Sequence, residues 1–275
     1  MNLQRTLYLV FLLITLSSSC LAGELNIDLG KEKVSYSPDD LLKNPSLITL
    51  KNISLPTYPD QTFNLKAIPL CSLLKLEDKE VGVVLKVQAS DKYISYFNLK
   101  RIYPCDKERA STAYLAIEEK DKPWPIVTKL KRSAGPFYLI WIGKKVAQTD
   151  WVFAVETIST TSHNPFSDLL PAKSTALQAQ GLEIFASHCG VCHSINLIGN
   201  LEIGPDLNVP LNPTEYFSEK LLRQFIRNPQ SLRYMKNDKM FAFTKDELSE
   251  QELDAVIAFL QLMREHKITV PTNRK

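Results

Sequence analysis

Short apolar runs, each bounded by polar or turn-forming residues, dominate the chain after its initial apolar segment. Their β-branched and aromatic residues favour strands over helices. The runs predicted as strands are 48–55, 81–87, 114–117, 137–142 and 152–158. Helical signal is limited to the neighbourhoods of Leu41 and Leu73. The pattern therefore predicts a β-rich α+β domain over residues 23–161.

The pattern changes towards the C-terminus, where apolar positions recur at helical spacing. Residues 181–186 predict one helix. A final helix is predicted from Ser249, which is followed three residues later by Glu252, as in a capping box, and then by an apolar stripe over 256–263. The segment between the two parts contains two prolines. We therefore expect a linker at 162–176, an all-α domain at 177–268 and a tail at 269–275.

The start of the chain has the pattern of a secretory signal peptide. Arg5 precedes an apolar run at 7–16, and small or neutral residues follow up to Ala22, which suits cleavage. The run is shorter than the roughly 20 residues of a membrane-spanning helix, so no transmembrane span is expected once 1–22 are removed. A lipid anchor through Cys20 is disfavoured, because a serine stands where such signals usually carry leucine. Export predicts a periplasmic location.

Length and charge narrow the expectations further. The chain has 275 residues and a formal net charge of +3. Its length agrees with two domains, and its small charge gives no reason to expect nucleic acid as a partner. Basic residues nevertheless concentrate ahead of the final helix, where they would suit an acidic protein partner. They are Lys220, Arg223, Arg227, Arg233, Lys236 and Lys239. A solvated face without a partner is the alternative interpretation.

The pentapeptide Cys189-Gly190-Val191-Cys192-His193 carries the strongest chemical signal in the sequence. Two cysteines separated by two residues and followed by histidine form the attachment motif of c-type haem. The cysteines would form thioethers with the haem vinyl groups, and His193 would bind the iron. A structural zinc site would need a second Cys/His pair at finger spacing, which the sequence lacks. A thioredoxin-like redox pair would follow a strand, whereas a helix is predicted here.

The last third of the chain resembles class I cytochrome c. The resemblance rests on Gly181 and Phe185 before the pentapeptide and on Gly204-Pro205-Asp206-Leu207 after it. It implies that the first and last helices cross near the glycine. It also implies that the Pro205 carbonyl accepts a hydrogen bond from the ring nitrogen of His193 that does not bind iron, which makes Pro205 a supporting residue of the haem site.

In this family a methionine ahead of the last helix supplies the sixth iron ligand. Met240 follows a lysine at the matching place, and Met235 is the alternative ligand. Packing of both methionines in the core is the remaining interpretation. Methionine ligation would raise the reduction potential and block small molecules from the iron. The resemblance thus predicts one covalently attached haem c with His/Met ligation.

Two cysteines of the first domain, Cys71 and Cys105, remain unassigned. In an exported protein they are most simply interpreted as a disulfide. The domain also resembles the sulfite-oxidase-like molybdopterin fold, whose members hold molybdenum through a cysteine thiolate. The segments that carry this resemblance are 68–74, 88–93 and 135–141. Either cysteine as a molybdenum ligand is therefore the alternative, although Lys92 replaces the glycine usual in that family, which favours a degenerate relative without metal.

These features predict an exported two-domain protein, in which a β-rich α+β domain is followed by an all-α class I cytochrome c domain. The expected function is one-electron transfer with a redox partner protein, as a carrier and not as an enzyme. One alternative is the haem-containing subunit or fusion of a periplasmic molybdopterin-type oxidoreductase. Another is a haem-based sensor of small ligands. The remaining histidines, His163, His188 and His266, are expected at the surface.

Overall fold

The structure is a computed structural model, and it describes residues 23–76, 84–103, 105, 110–128, 131–232 and 240–269. The predicted signal peptide, with Cys20, and the alternative ligand Met235 lie outside these residues, as does the tail after residue 269. Among the helices formed by the described residues, none is both long and apolar enough to cross a bilayer.

The first part of the chain is β-rich, as predicted, and its strands form two five-stranded sheets. In chain order the strands are β1 (Leu25–Asp28), β2 (Lys33–Tyr36), β3 (Ile48–Leu55), β4 (Tyr58–Pro69), β5 (Val84–Ala89), β6 (Ile94–Asn98), β7 (Ser111–Ile117), β8 (Phe137–Gly143), β9 (Val152–Phe153) and β10 (Val155–Thr161). One sheet has the order β2-β1-β10-β5-β6, and the other has the order β3-β4-β7-β8-β9. The pair β1 and β10 is parallel, and the other pairs are antiparallel.

The two sheets share a core because the central strands are buried on both faces. In β8, Phe137, Leu139 and Trp141 join a cluster that also contains residues of the other sheet. The alternate residues Tyr138 and Ile140 belong to a second cluster on the opposite face. This alternation follows from the two-residue repeat of a strand. Two short helices, α1 (Pro38–Leu41) and α2 (Leu70–Leu74), lie where helical signal was expected.

The strand predicted over 152–158 is in fact two strands that belong to different sheets. The break occurs at Ala154, whose φ of 49° is left-handed. This residue ends β9 beside β8 and sends the chain into β10 beside β5. Because the turn uses an alanine, the sequence offered no glycine or proline to mark the break.

The C-terminal part consists mainly of helices, together with one short hairpin. Its helices are α3 (Ala176–Ile184), α4 (Pro213–Tyr216), α5 (Glu219–Arg227) and α6 (Glu250–Arg264). The hairpin pairs β11 (Ser194–Ile195) with β12 (Ile198–Gly199) and adds a small β element to the all-α expectation. The predicted capping box of α6 is confirmed, since Ser249 and Glu252 exchange hydrogen bonds of 2.7 and 3.3 Å.

Helices α3 and α6 cross in close contact at Gly181. A Cβ atom at this position would overlap the carbonyl oxygen of Ala255 and would lie 2.8 Å from Cβ of Phe259. One turn further along α3, the rings of Phe185 and Phe259 pack with centroids 5.4 Å apart. The packing expected from the family resemblance is therefore present, and only glycine permits it.

The segment predicted as a linker is anchored to both parts of the chain. Residues Pro165–Leu169 form a 3₁₀ helix whose Phe166 is fully buried. Its ring meets Tyr96 of β6 with centroids 6.4 Å apart and meets Phe185 of the helical part with centroids 5.6 Å apart. An Asn-Pro pair that suggested only a loop thus precedes an aromatic side chain that joins the two parts.

The crossing of α3 and α6 leads to a test of packing against helix propensity. Alanine favours a helix by about 1 kcal/mol over glycine, but overpacking a core costs about 1–3 kcal/mol. Because the backbone of α6 blocks the site, we expect Gly181→Ala to lower the free energy of unfolding. Urea unfolding would measure this, with Gln180→Ala on the exposed side of the same helix as the control. A Gly181→Ala protein as stable as the control would contradict the close crossing.

The cysteine pair of the first part gives a second test. Cys71 and Cys105 lie at disulfide distance, with their Cα atoms 5.7 Å apart. A bond between them would close a loop spanning 34 positions of sequence. A loop of this size is expected to stabilise the fold by about 3–4 kcal/mol. We therefore expect the double variant Cys71→Ser with Cys105→Ser to unfold at lower urea concentration.

Mass spectrometry of the alkylated, non-reduced protein provides the direct check. A disulfide leaves both cysteines unmodified until a reductant is added. Alkylation of Cys71 and Cys105 without reductant would exclude the pairing, whatever the stability of the double variant.

Candidate functional site

A cavity of about 850 Å³ lies in the helical part of the protein. This volume falls within the roughly 300–1,000 Å³ range of cofactor and ligand sites. Its walls come from Thr149, the turn after α3, the loop at 203–207, α4 and α5, the segment at 240–248, and α6. Most lining side chains are apolar. They include Phe185, Leu207, Phe217, Leu222, Phe225, Ile226, Phe243, Val256 and Leu260.

Cys189 and Cys192 both line this cavity, and neither is part of a disulfide. They are placed by the turn after α3, which widens to a π-helical turn at Phe185–Cys189. The backbone nitrogens of Cys192 and His193 then donate to the carbonyl of Cys189 at 3.0 and 2.9 Å. This single turn therefore presents both sulfurs and the following imidazole to one cavity.

The electrostatics of the thiols argue against a dithiol redox pair. Burial, assisted by the neighbouring Cys192, raises the pKa of the Cys189 thiol to about 12. A nucleophilic cysteine of a thiol–disulfide oxidoreductase needs the opposite shift, because the thiolate is the reactive form. Among the described residues, no group of three or more His, Cys, Asp or Glu side chains is arranged to hold a metal ion, so the zinc alternative has no ligand set there.

His193 is held in one orientation by the loop that follows it. Its Nδ1 atom lies 2.8 Å from the carbonyl oxygen of Pro205. Because a carbonyl can only accept, Nδ1 carries the proton, and Nε2 is the nitrogen with a lone pair for a metal. Burial lowers the pKa of His193, which favours this neutral form. The structure thus brings Pro205 to the place that the family resemblance implied.

Asp206 fixes the position of the Pro205 carbonyl. Its carboxylate accepts hydrogen bonds of 2.8 Å from the Ser194 hydroxyl and from the backbone nitrogens of Leu197, Asn208 and Val209. The carboxylate therefore ties the loop after Pro205 to the hairpin after His193. A Cβ at Gly204 would lie 2.7 Å from ring atoms of His193, so glycine is also required here.

Buried asparagines connect this loop to the last helix. Asn208 and Asn212 are fully buried, and their side-chain nitrogens donate to the carbonyls of Met263 and Leu260 at 2.7 and 2.9 Å. The two residues also share a hydrogen bond of 2.9 Å. The bonds to Met263 and Leu260 tie this loop to the C-terminal half of α6. Sequence reasoning missed this network because asparagine has no periodic pattern.

Met240 lines the same cavity as His193. The segment that follows it is held by Arg227 at the end of α5. The guanidinium donates to the carbonyls of Phe243, Thr244 and Leu248 at 3.2, 3.1 and 2.5 Å. Arg227 therefore positions the chain between Met240 and α6. The alternative ligand Met235 lies outside the described residues.

Two described residues of the basic stretch, Arg223 and Arg227, are less available to a partner than the sequence suggested. Arg227 is only 19% exposed and pairs with Glu250, and Arg223 pairs with Glu219 and Asp254. Of the six basic residues, Arg233, Lys236 and Lys239 lie outside the described residues, and Lys220 is exposed. Two of the three described cations thus serve internal ion pairs.

A polar corner of the cavity was not anticipated. His188, which was expected at the surface, lines the cavity, and its Nδ1 lies 3.2 Å from the hydroxyl of Thr149, which also lines it. The His188 ring packs against Phe243 with centroids 5.8 Å apart. Thr149 belongs to the β-rich part of the chain. No sequence motif marks it, because its role depends on how the two parts pack.

Together these residues form a candidate site for covalently attached haem. Two thiols, one neutral imidazole with its Nε2 available and one thioether face a single apolar cavity, as c-type haem requires. The comparison with protein families agrees, since residues 178–264 match the family Cytochrome c. No curated protein matches the chain. Residues 178–264 therefore form a cytochrome c domain, and this family implies covalently attached haem c and electron transfer.

The polar corner leads to a prediction about pH. Burial lowers the pKa of His188 below its ordinary value of 6.5, although Asp150, Glu252 and Glu247 oppose the shift. His188 is therefore protonated more readily in the unfolded chain than in the folded protein. The free energy of unfolding should fall as the pH drops below 6.5. One proton limits the slope to about 1.4 kcal/mol per pH unit.

Urea unfolding of the haem-loaded protein between pH 7 and pH 5 would measure this slope. Carboxyl groups with lowered pKa values, such as Glu252, lose their contribution only below their ordinary value of 4.5. The matched variant is His188→Asn, which keeps a polar nitrogen but does not titrate. A slope of equal size in this variant would show that another group is responsible.

Proposed function

We propose that this protein is an exported mono-haem c-type cytochrome that transfers single electrons through a His/Met-ligated haem. The observation that carries the proposal is the placement of Cys189, Cys192, His193 and Met240 around one apolar cavity. The haem would supply the one-electron chemistry between Fe(III) and Fe(II). The protein would supply attachment, two axial ligands and an environment from which water is excluded.

The division of roles follows from the contacts. Cys189 and Cys192 would attach the haem, and His193 would be the proximal ligand. Pro205 raises the basicity of the imidazole by accepting its Nδ1 proton in a hydrogen bond. Met240 would be the sixth ligand. With both ligands supplied by protein side chains, the haem would favour electron transfer over ligand binding or oxygen chemistry.

The proposal includes export. The sequence signal at 1–22 supports a periplasmic location, and a disulfide between Cys71 and Cys105 would suit an oxidising compartment. The same pairing argues against the molybdenum alternative, since a cysteine held in a disulfide offers no thiolate. The matched family covers none of residues 23–161, so the resemblance of that part to the molybdopterin fold remains a hypothesis.

Spectra and metal analysis of the protein matured in a host that attaches c-type haem would test the proposal. We expect one iron per chain, no molybdenum and a weak absorption band at about 695 nm in the oxidised protein, typical of methionine ligation. Met240→Leu should abolish this band while preserving side-chain volume. Met263→Leu, in the core of α6, is the matched control and should keep the band.

Each other outcome has a distinct meaning. Loss of the band in Met235→Leu and not in Met240→Leu would assign the sixth ligand to Met235. A high-spin spectrum with carbon monoxide binding to the reduced protein would reject His/Met ligation and support a sensor. Stoichiometric molybdenum would support the oxidoreductase alternative. Haem in a ratio other than one per chain would reject the mono-haem assignment.

A further inference from the structure

The β-rich part of the protein contributes directly to the wall of the haem cavity. Thr149 lies in a 3₁₀ turn at Gln148–Asp150, between β8 and β9, and it is outside the segment that matches the cytochrome family. Its hydroxyl and the His188 imidazole form a polar corner in a lining that is otherwise mostly apolar. Thr149 is thus a polar residue from the β-rich part in a mostly apolar lining, and the contacts that hold it there indicate its role.

The turn that carries Thr149 is held by an ion pair. Arg101 donates two hydrogen bonds to Asp150, from Nη1 to Oδ1 at 2.8 Å and from Nη2 to Oδ2 at 3.0 Å. The Asp150 side chain is 1% exposed, and it also accepts from the backbone nitrogen of Ala147 at 3.0 Å. The guanidinium carbon of Arg101 lies 4.5 Å from the centroid of the Trp141 ring. Arg101 is thus fixed by both planar pairing and stacking.

Further hydrogen bonds hold the turn from both sides. On the β-rich side, the Tyr93 hydroxyl donates to the carbonyl of Thr149 at 2.8 Å. On the helical side, the backbone nitrogen of Gln148 donates to Glu247 at 3.3 Å. Glu247 lies in the segment between Met240 and α6. The turn is therefore tied to the chain that follows the proposed sixth ligand as well as to its own sheet.

A buried ion pair by itself is weak evidence for stability, because desolvation of the two charges offsets much of their attraction. A buried ion pair instead favours one geometry, because separating the two side chains leaves each charge buried without its partner. Here that geometry fixes one residue against the cavity. The desolvation cost of burying the Asp150 carboxylate is explained if the position of Thr149 in the cavity wall is important for function.

We propose that Thr149 is a haem-contacting residue supplied by the β-rich part, and that Arg101 and Asp150 are positioning residues that hold it there. The inference rests on the proposed function. It means that the haem environment is set by both parts of the protein. The hydroxyl of Thr149 and its interaction with His188 provide a fixed dipole beside the haem, which biases the equilibrium between its oxidised and reduced states.

The test compares Thr149→Val with Thr149→Ser in the haem-loaded protein. Valine keeps the shape of threonine and removes the hydroxyl, whereas serine keeps the hydroxyl. At the midpoint potential of the wild type, we expect Thr149→Val to change the ratio of oxidised to reduced protein by about two- to ten-fold, the size expected for one lost hydrogen bond. Thr149→Ser should stay closer to the wild type. Circular dichroism in the Soret region gives a second readout of contact with the haem.

Two further variants test the positioning role. Tyr93→Phe removes only the hydroxyl that holds the Thr149 carbonyl, and Asp150→Asn weakens the pairing with Arg101. Tyr93→Phe should shift the potential in the same direction as Thr149→Val, whereas Asp150→Asn also removes a buried charge and is therefore judged by its Soret dichroism, which should change as in Thr149→Val. If Asp150→Asn fails to fold, Tyr93→Phe decides the question. The matched control is Thr62→Val on the exposed surface of β4, which should leave the potential and the Soret dichroism unchanged.

The outcomes separate this inference from the proposed function. A wild-type protein without covalent haem would reject both. A wild-type protein with haem, and a Thr149→Val variant that matches Thr62→Val in potential and Soret dichroism, would reject the inference alone. Loss of stability in Thr149→Val with no change in either haem readout would show that Thr149 only supports packing between the two parts.

Discussion

The close crossing of α3 and α6 is the contact on which the haem site depends. Gly181 brings the two backbones together, and Phe185 and Phe259 pack one turn further on. This crossing fixes where α3 ends, and the turn that carries both cysteines and His193 begins at that end. The C-terminal end of α6 is in turn tied to the loop of Pro205 through buried asparagines. The thiols, the imidazole and its hydrogen-bond partner are therefore positioned by one pair of helices.

Local sequence signals predicted the parts of the site that lie close together in the chain. The pentapeptide and the Gly-Pro stretch are such signals, because each requires particular residues within one turn. The β-rich character of the first part also followed from its apolar runs. Strand β4 was missed because its first half is mostly polar and exposed, with five exposed residues between positions 58 and 64, so it does not begin with an apolar run. The division between β9 and β10 was missed because an alanine adopts the left-handed conformation.

Contacts between the two parts could not be predicted, because they depend on tertiary packing. Thr149 and His188 are distant in sequence, and neither belongs to a motif. In the basic stretch, the pattern of charges suggested a docking surface, and of its described residues Arg223 and Arg227 pair with nearby carboxylates. Sequence reveals which charges are present, but whether they face solvent or neutralise one another depends on the neighbouring elements.

The burial of Phe166 has a kinetic consequence. Its ring lies between the two parts of the protein, and Cβ atoms at Gly190 and Gly199 would approach it within 2.5 and 2.6 Å. Because these glycines leave room for one aromatic ring and no more, the connection between the parts is packed and not hinged. A redox partner that docks on the β-rich part would therefore meet the haem at one fixed distance. The rate of electron transfer would depend on that distance and on the driving force, and not on a rearrangement of the two parts.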